Sequence, residues 1–279
     1  MGFLLATLSS LVYGAADFCG GKATRHASAW TVTASSQLAG LVTVLVCLPL
    51  AGGDGPSWRA VIGGAMGGIG GAVGLMLLYH ALAHGTMSIV SPVTAVSAAT
   101  VPLVFGVGVL GERPGALPLL GIVCALAAIT LVSASGGGSG RDAHTVRTIQ
   151  WALGAGAGFG TFFIFLDRVG GHSGVWPLLG ARPASIALAA LVARRAHQPV
   201  LVPRSLWRWA VPAGALDMVA NLLFLFATAH GSLAIIAVLA SLYPVSTVAL
   251  ARFVDHEHIR PVQGVGLLLA LGALVLIAR

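Results

Sequence analysis

From Gly2 to Ala278 the chain is a succession of ten predominantly apolar stretches. Each is close to the roughly 20 residues that a helix needs to cross about 30 Å of hydrocarbon. They run over 2–19, 31–50, 60–79, 87–110, 116–134, 149–166, 173–193, 209–229, 232–252 and 261–278. The connections are short, and no segment is long or polar enough to form a separate soluble domain. Charge leads to the same place. Lys, Arg, Asp and Glu make up 8% of the residues, against roughly 25% in ordinary soluble domains. So few charges cannot cover a globule of 279 residues with wetted surface. The stretches are continuously apolar rather than alternating, which excludes a β-barrel. The expected fold class is an all-α polytopic membrane protein with ten transmembrane helices.

The formal charge of +7 rests on 15 basic residues against 8 acidic ones. Most basic residues fall between the apolar runs, where they suit lipid headgroups. No aromatic-interleaved basic patch points to nucleic acid. Cys19, Cys47 and Cys124 lie in or at the ends of apolar stretches, at spacings that match neither a metal site nor a redox motif. The N-terminus is apolar from the start and reads as the first span rather than a removable signal.

The most loop-like stretch is 135–148, beginning SGGGSGRDAH. It divides the chain into 1–134 and 149–279, with five spans in each half. The halves resemble each other at a constant offset of 146 residues, which superimposes Gly14 on Gly160, Trp30 on Trp176 and His84-Gly85 on His230-Gly231. After one residue of slippage Glu112 corresponds to Glu257. Five is odd, so the second half must enter the membrane from the opposite side. The result is an inverted-topology repeat, an arrangement that supports alternating access around a central site.

Three tracts carry a further likeness. The first half holds ALAHGTMSIVSPVTAV and a later GERP, the second half holds ATAHGSLAIIAVLAS and a later DHEHIRP, and the first span reads LLATLSSLVYGAADF. In this doubled pattern the chain resembles the drug/metabolite transporter superfamily, specifically its ten-span members built from two EamA-like domains. The resemblance covers nearly the whole chain. It implies a carrier in a bacterial inner membrane with both termini cytoplasmic. Loop charge alone argues the other way, because an inside N-terminus would put only Arg59, Arg113, Arg168 and Arg279 on the cytoplasmic side, with ten basic residues opposite. The family topology is preferred here, since topology is tied to fold and the loops are short.

Polar groups inside spans are expensive and mark pathways or sites. Asp17 follows Tyr13 by four residues, so the two share a helical face. It could take a proton or a cationic group, or simply meet water near the end of its span. Asp217 and Asn221 are likewise four apart, in the middle of the eighth span. Asp217 could serve in proton coupling or could pair with Arg182 in the seventh. Pro92 and Pro102 are expected to interrupt the fourth span and Pro244 the ninth, freeing carbonyls toward a cavity. Tyr79, Ser91, Thr94, Ser241 and Tyr243 are then cavity candidates, together with Tyr13 and Asn221. Trp30 and Trp176 open equivalent spans as interface anchors or as an aromatic lid.

His84 and His230 occupy matching turns, as structural or gate residues. Glu112 and Glu257 precede helices, where an acidic group is favourable without any function. His80 and His84 share a face but lack the further ligands a metal site needs, and the 255–258 run reads as a solvated turn. The clustered glycines at 63–74 form no phosphate loop and suit close helix packing.

The functional expectation is a secondary transporter, most readily an exporter, of a small organic metabolite or drug-like solute, with possible proton coupling. Its lining of few fixed charges suits a neutral or zwitterionic cargo. Membrane lipid and the solute are the expected partners, with no cofactor, metal, nucleic acid or obligatory protein partner. An intramembrane lipid-modifying enzyme would need a cluster of bases and nucleophiles that the scattered His and Asp residues do not supply. A non-transporting scaffold or assembly protein would have no need of the repeat.

Overall fold

In a computed structural model the described residues are 1–50, 57–109, 115–117, 120–121, 123–124, 127, 143–169, 173–228, 230, 240, 242–256 and 261–277. Among them the long elements are all α-helices: α1 (Gly2–Thr24), α2 (Ala29–Cys47), α3 (Trp58–His84), α4 (Met87–Val109), α5 (Ala143–Val169), α6 (Trp176–Arg195), α7 (Trp207–Thr228), α8 (Tyr243–Val254) and α9 (Pro261–Ile277). Short 3-10 turns at Leu48–Leu50 and Arg204–Leu206 end α2 and lead into α7.

Among the described residues six stretches are long and apolar enough to cross a membrane: Gly2–Thr24, Ala29–Cys47, Trp58–His84, Thr145–Leu166, Trp176–Arg195 and Arg204–Ala227. The chain is a multi-pass helical membrane protein. The expected count of ten is not reached among the described residues, because the fifth span is described only at scattered helical positions and the ninth mostly from Tyr243 onward.

Side-chain size sorts inside out. On α3 the large residues Ile62, Met66 and Ile69 are 59%, 52% and 49% exposed, one helical turn apart. Between them Gly63, Gly64, Gly67 and Gly68 are buried. In water such an apolar stripe would be a liability; in lipid it is the ordinary outer surface. Small residues inside let backbones touch. A Cβ added to Gly64 would stand 2.0 Å from the Pro177 carbonyl oxygen, and one added to Gly214 only 1.7 Å from that of Ser36.

These contacts set helix directions. Gly2 lies on Ala227 and His230, and Lys22 reaches the Trp209 ring, so α1 and α7 are antiparallel. Gly74 lies on Ala155 and Gly63 on Val169, which makes α3 and α5 antiparallel as well. By contrast α1 runs parallel to α8: Gly14 meets Tyr243 and Thr247 while Lys22 meets Asp255. Similarly α4 runs parallel to α5, through Thr94 and Ser97 on Gly156 and Val101 on Gly160.

Two of the three prolines act differently from the expectation, while a turn at Leu242 does separate helical Ala240 from the helix that carries Pro244. Helix α4 is continuous through positions 92 and 102, so neither proline interrupts it. Each costs one backbone hydrogen bond, which a helix held by its neighbours on both sides tolerates. Pro244 sits in the first turn of α8, where its missing N–H has no partner to lose.

Replacing Gly214 with Val should abolish recovery of monodisperse protein, because a backbone carbonyl cannot move aside for the new Cβ. Gly272→Ala is the control. Nothing lies within 4 Å of its added Cβ, and Ala favours a helix over Gly by about 1 kcal/mol. Size-exclusion profiles and melting temperatures in detergent compare the two.

Candidate functional site

Helices from both halves bring polar side chains into the bundle interior. Arg182 of α6 is buried, and its Nη2 donates to Asp217 Oδ2 of α7 at 2.7 Å. Its Nη1 donates to Gln37 Oε1 of α2, and Met218 Sδ lies 3.9 Å from Nη2. The guanidinium fits because Gly40 leaves room for it: a Cβ there would stand 3.3 Å from Arg182 Cζ. Asn221 donates from Nδ2 to the Asp217 carbonyl at 2.7 Å, one turn along the same helix. One buried cation thus ties α2 to α6 and α7.

Beside this network stands a second group. Tyr13 and Asp17 lie one turn apart on α1 and are both half-buried. The next turn carries Gly20, and the Tyr79 ring of α3 presses on it, 2.2 Å from where a Cβ would be. Tyr79 is buried, with its hydroxyl in hydrogen-bonding reach of Ser36. The turn before carries Gly14, against which the start of α8 packs and so delivers Tyr243. Asp17 is within electrostatic reach of Tyr13, Tyr79, Tyr243 and Asp217. The Tyr243 hydroxyl is buried without a hydrogen-bond partner among the described residues. Tyr13, Asp17 and Tyr243 are half-buried and so retain open surface beside them, whereas Tyr79 is packed.

The other expected lining residues scatter. Ser91 and Thr94 on α4 are fully buried, with hydroxyls that find no hydrogen-bond partner among the described residues. Trp30 lies elsewhere, stacked on His80 at 5.7 Å between ring centroids, with Trp151 edge-on to His80 at 4.2 Å. Trp30 and His80 border a depression of about 400 Å³ at the ends of α1 and α3, which Arg25, Ser28 and His84 also line. Trp176 starts α6 and is half-buried. His84 and His230 make the same local bond, each Nδ1 lying 2.8 Å from the carbonyl oxygen four residues earlier. Glu112, Glu257 and Ser241 lie outside the described residues. No group of three His, Cys, Asp or Glu that could hold a metal occurs among the described residues.

Asp255 departs from the reading of 255–258 as a solvated turn, of which 257–258 lie outside the described residues. Its side chain is buried and takes Lys22 at 2.6 Å and Arg25 at 2.8 Å, which joins the ends of α1 and α8. His256, next to it, is exposed, with a positive φ of 54°. Sequence reasoning also passed over Gln37, although an amide in mid-span was a signal available to it under the rule applied to Asp217.

The profile of the EamA-like transporter family matches residues 1–134 and again 146–279. The chain belongs to the EamA-like transporter family, a family of transporters rather than enzymes. A solved structure, described only as the crystal structure of a protein, is similar in fold. Its TM-score is 0.68 at 18% identity, over 99% of this chain and 95% of that one. No significant match is found among curated proteins.

Removing one partner of a buried pair leaves an uncompensated charge and costs about 3–5 kcal/mol. Asp217→Asn and Arg182→Gln should therefore each lower the melting temperature sharply. The double variant Arg182→Met/Asp217→Leu should be more stable than either single one. Additive losses in the double variant would show that the pair does not act as a unit.

Proposed function

We propose that this transporter is an alternating-access carrier that exports a small organic solute, built as two inverted five-helix repeats, 1–134 and 149–279, joined by the 135–148 linker. One observation carries the reading: contacts between the halves come in exchanged pairs at the 146-residue offset. Ser9 donates to the Ala220 carbonyl at 2.8 Å, and its counterpart Ala155 lies on Gly74, the counterpart of Ala220. Gly14 packs on Thr247, and Gly160 on Val101. Gly2 packs on His230, and Thr148 on Gly85 beside His84. Such exchange is what a pseudo-two-fold axis in the membrane plane produces, and the double match of the family profile supports it. Ten spans, a bacterial inner membrane and two cytoplasmic termini complete the proposal.

The cavity at Tyr13, Asp17, Tyr79 and Tyr243 is the proposed solute site. The Asp255 clamp on Lys22 and Arg25 is the proposed closure at one end, with His84 and His230 as matching turns. For proton coupling the available carboxylates are Asp17 and Asp217. Arg182 already holds Asp217, so Asp17 is the stronger candidate.

Counterflow in proteoliposomes, with pooled amino acids, nucleobases, sugars and cationic drugs, should give saturable exchange of one class. No exchange by folded protein would return weight to a scaffold or a lipid-modifying enzyme. If an imposed pH gradient accelerates flux, Asp217→Asn should leave that acceleration in place and Asp17→Asn should remove it.

The clamp is tested separately. In a chain freed of Cys19, Cys47 and Cys124, cysteines replacing Lys22 and Asp255 are bridged by a short thiol cross-linker. Flux should stop, then recover when the bridge is reduced. Unchanged flux through a bridged protein would rule out opening at that end.

A further inference from the structure

The chain contains three tyrosines, and the fold brings all of them to Asp17. Tyr13 comes from the same helix, Tyr79 from α3 across Gly20, and Tyr243 from α8 across Gly14. The three phenols therefore come within electrostatic range of one carboxylate from three separate helices. Asp17 has no hydrogen bond or ion pair to a cation among the described residues, whereas Asp217 has Arg182 and Asp255 has two partners. The local charge count is two carboxylates, Asp17 and Asp217, against one guanidinium. With Asp17 ionised, one negative charge is left over beside the three tyrosines.

From this juxtaposition we propose that the site takes an organic monocation, a substituted ammonium whose charge is met by Asp17 and whose alkyl groups lie against Tyr13, Tyr79 and Tyr243. The inference rests on the cavity being the solute site and names the class of solute it accepts. The physical reason is twofold. Aromatic faces attract a cation by their quadrupole, most strongly when desolvated, and a substituted ammonium is cheaper to dehydrate than a small hydrated ion. An anion would meet Asp17 and Asp217 together. A neutral solute would leave Asp17 either unpaired as a carboxylate in a low-dielectric interior or protonated, with no charge for the solute to meet. This departs from the neutral or zwitterionic cargo expected from the sequence, because that expectation counted the fixed charges without knowing which were already paired. The unpartnered Tyr243 hydroxyl supplies one acceptor or donor for a polar substituent of the solute.

The test is equilibrium dialysis of the purified full-length protein against tetramethylammonium, choline and benzyltrimethylammonium. Choline is compared with its uncharged isostere, in which carbon replaces the quaternary nitrogen. At least one cation should bind saturably, and the isostere should bind more weakly by about tenfold or more. Asp17→Asn should lose about tenfold or more in affinity for the cation. Tyr243→Leu should lose about fivefold or more and Tyr243→Phe about threefold at most, since Phe keeps the ring.

Melting curves confirm that each variant is folded, and Tyr243→Leu carries the test if Asp17→Asn does not fold. Binding of none of the three cations, equal binding of choline and its isostere, or indifference to both substitutions overturns the proposal. Exchange of another solute class in vesicles, without cation binding, would leave the transport reading standing and remove this one. Cation binding without flux of any solute would do the reverse.

Discussion

Helices in lipid gain nothing by hiding oily side chains from one another, because the surrounding tails are just as oily. What remains is contact, and contact is closest where side chains are smallest. The bundle depends on this constraint. Gly64 on Pro177, Gly68 on Ala181 and Gly214 on Ser36 bring backbones together at distances no Cβ could share. At the same level Ser185 donates to the Gly68 carbonyl at 2.8 Å, and Val202 N–H donates to Ser35 at 3.0 Å. These seams join the first half to the second. The Arg182–Asp217 pair, with Gln37 on the same guanidinium, depends on these seams holding the helices in register.

Across the same offset the two halves are alike in backbone contact and unlike in chemistry. Tyr13 and Asp17 correspond to Phe159 and Phe163, Asp217 to Gly71, Arg182 to Ser36 and Tyr243 to Ser97. Glycines and small residues recur because packing needs them twice. Charged and phenolic groups do not recur, so the interior has one polar flank and one apolar flank. Phe162 and Phe163 stand 5.6 Å apart between ring centroids, and Phe163 lies 6.0 Å from Phe224. A solute with a charged head and an apolar body would find both surfaces.

Legibility followed the kind of signal. Tyr13 and Asp17, and Asp217 and Asn221, are four residues apart, and helical geometry alone places each pair on one face. Arg182 as a partner for Asp217 was one of two options open in the sequence, because a mid-span arginine needs an acid. Gln37 went unnoticed beside the charges, although Arg182 needs it to place its second nitrogen. Asp255 looked like part of a wet turn, since nothing local reveals that two cations more than 200 residues away close on it. Pro92 and Pro102 misled because the sequence shows the lost hydrogen bond and not the neighbouring helices that make it tolerable.

Composition and periodicity determined that this chain is a helical membrane protein and that its halves are related, since bilayer thickness and helical rise leave few alternatives for so many apolar runs. They determined as well which residues are costly in lipid. Tertiary structure alone decided which of those costs are already met. Arg182 neutralises Asp217 and Lys22 with Arg25 neutralises Asp255, while Asp17 faces three tyrosines. Electrostatic partnership depends on distance in space, and in a bundle of crossing helices that distance is set by where the glycines let the backbones touch.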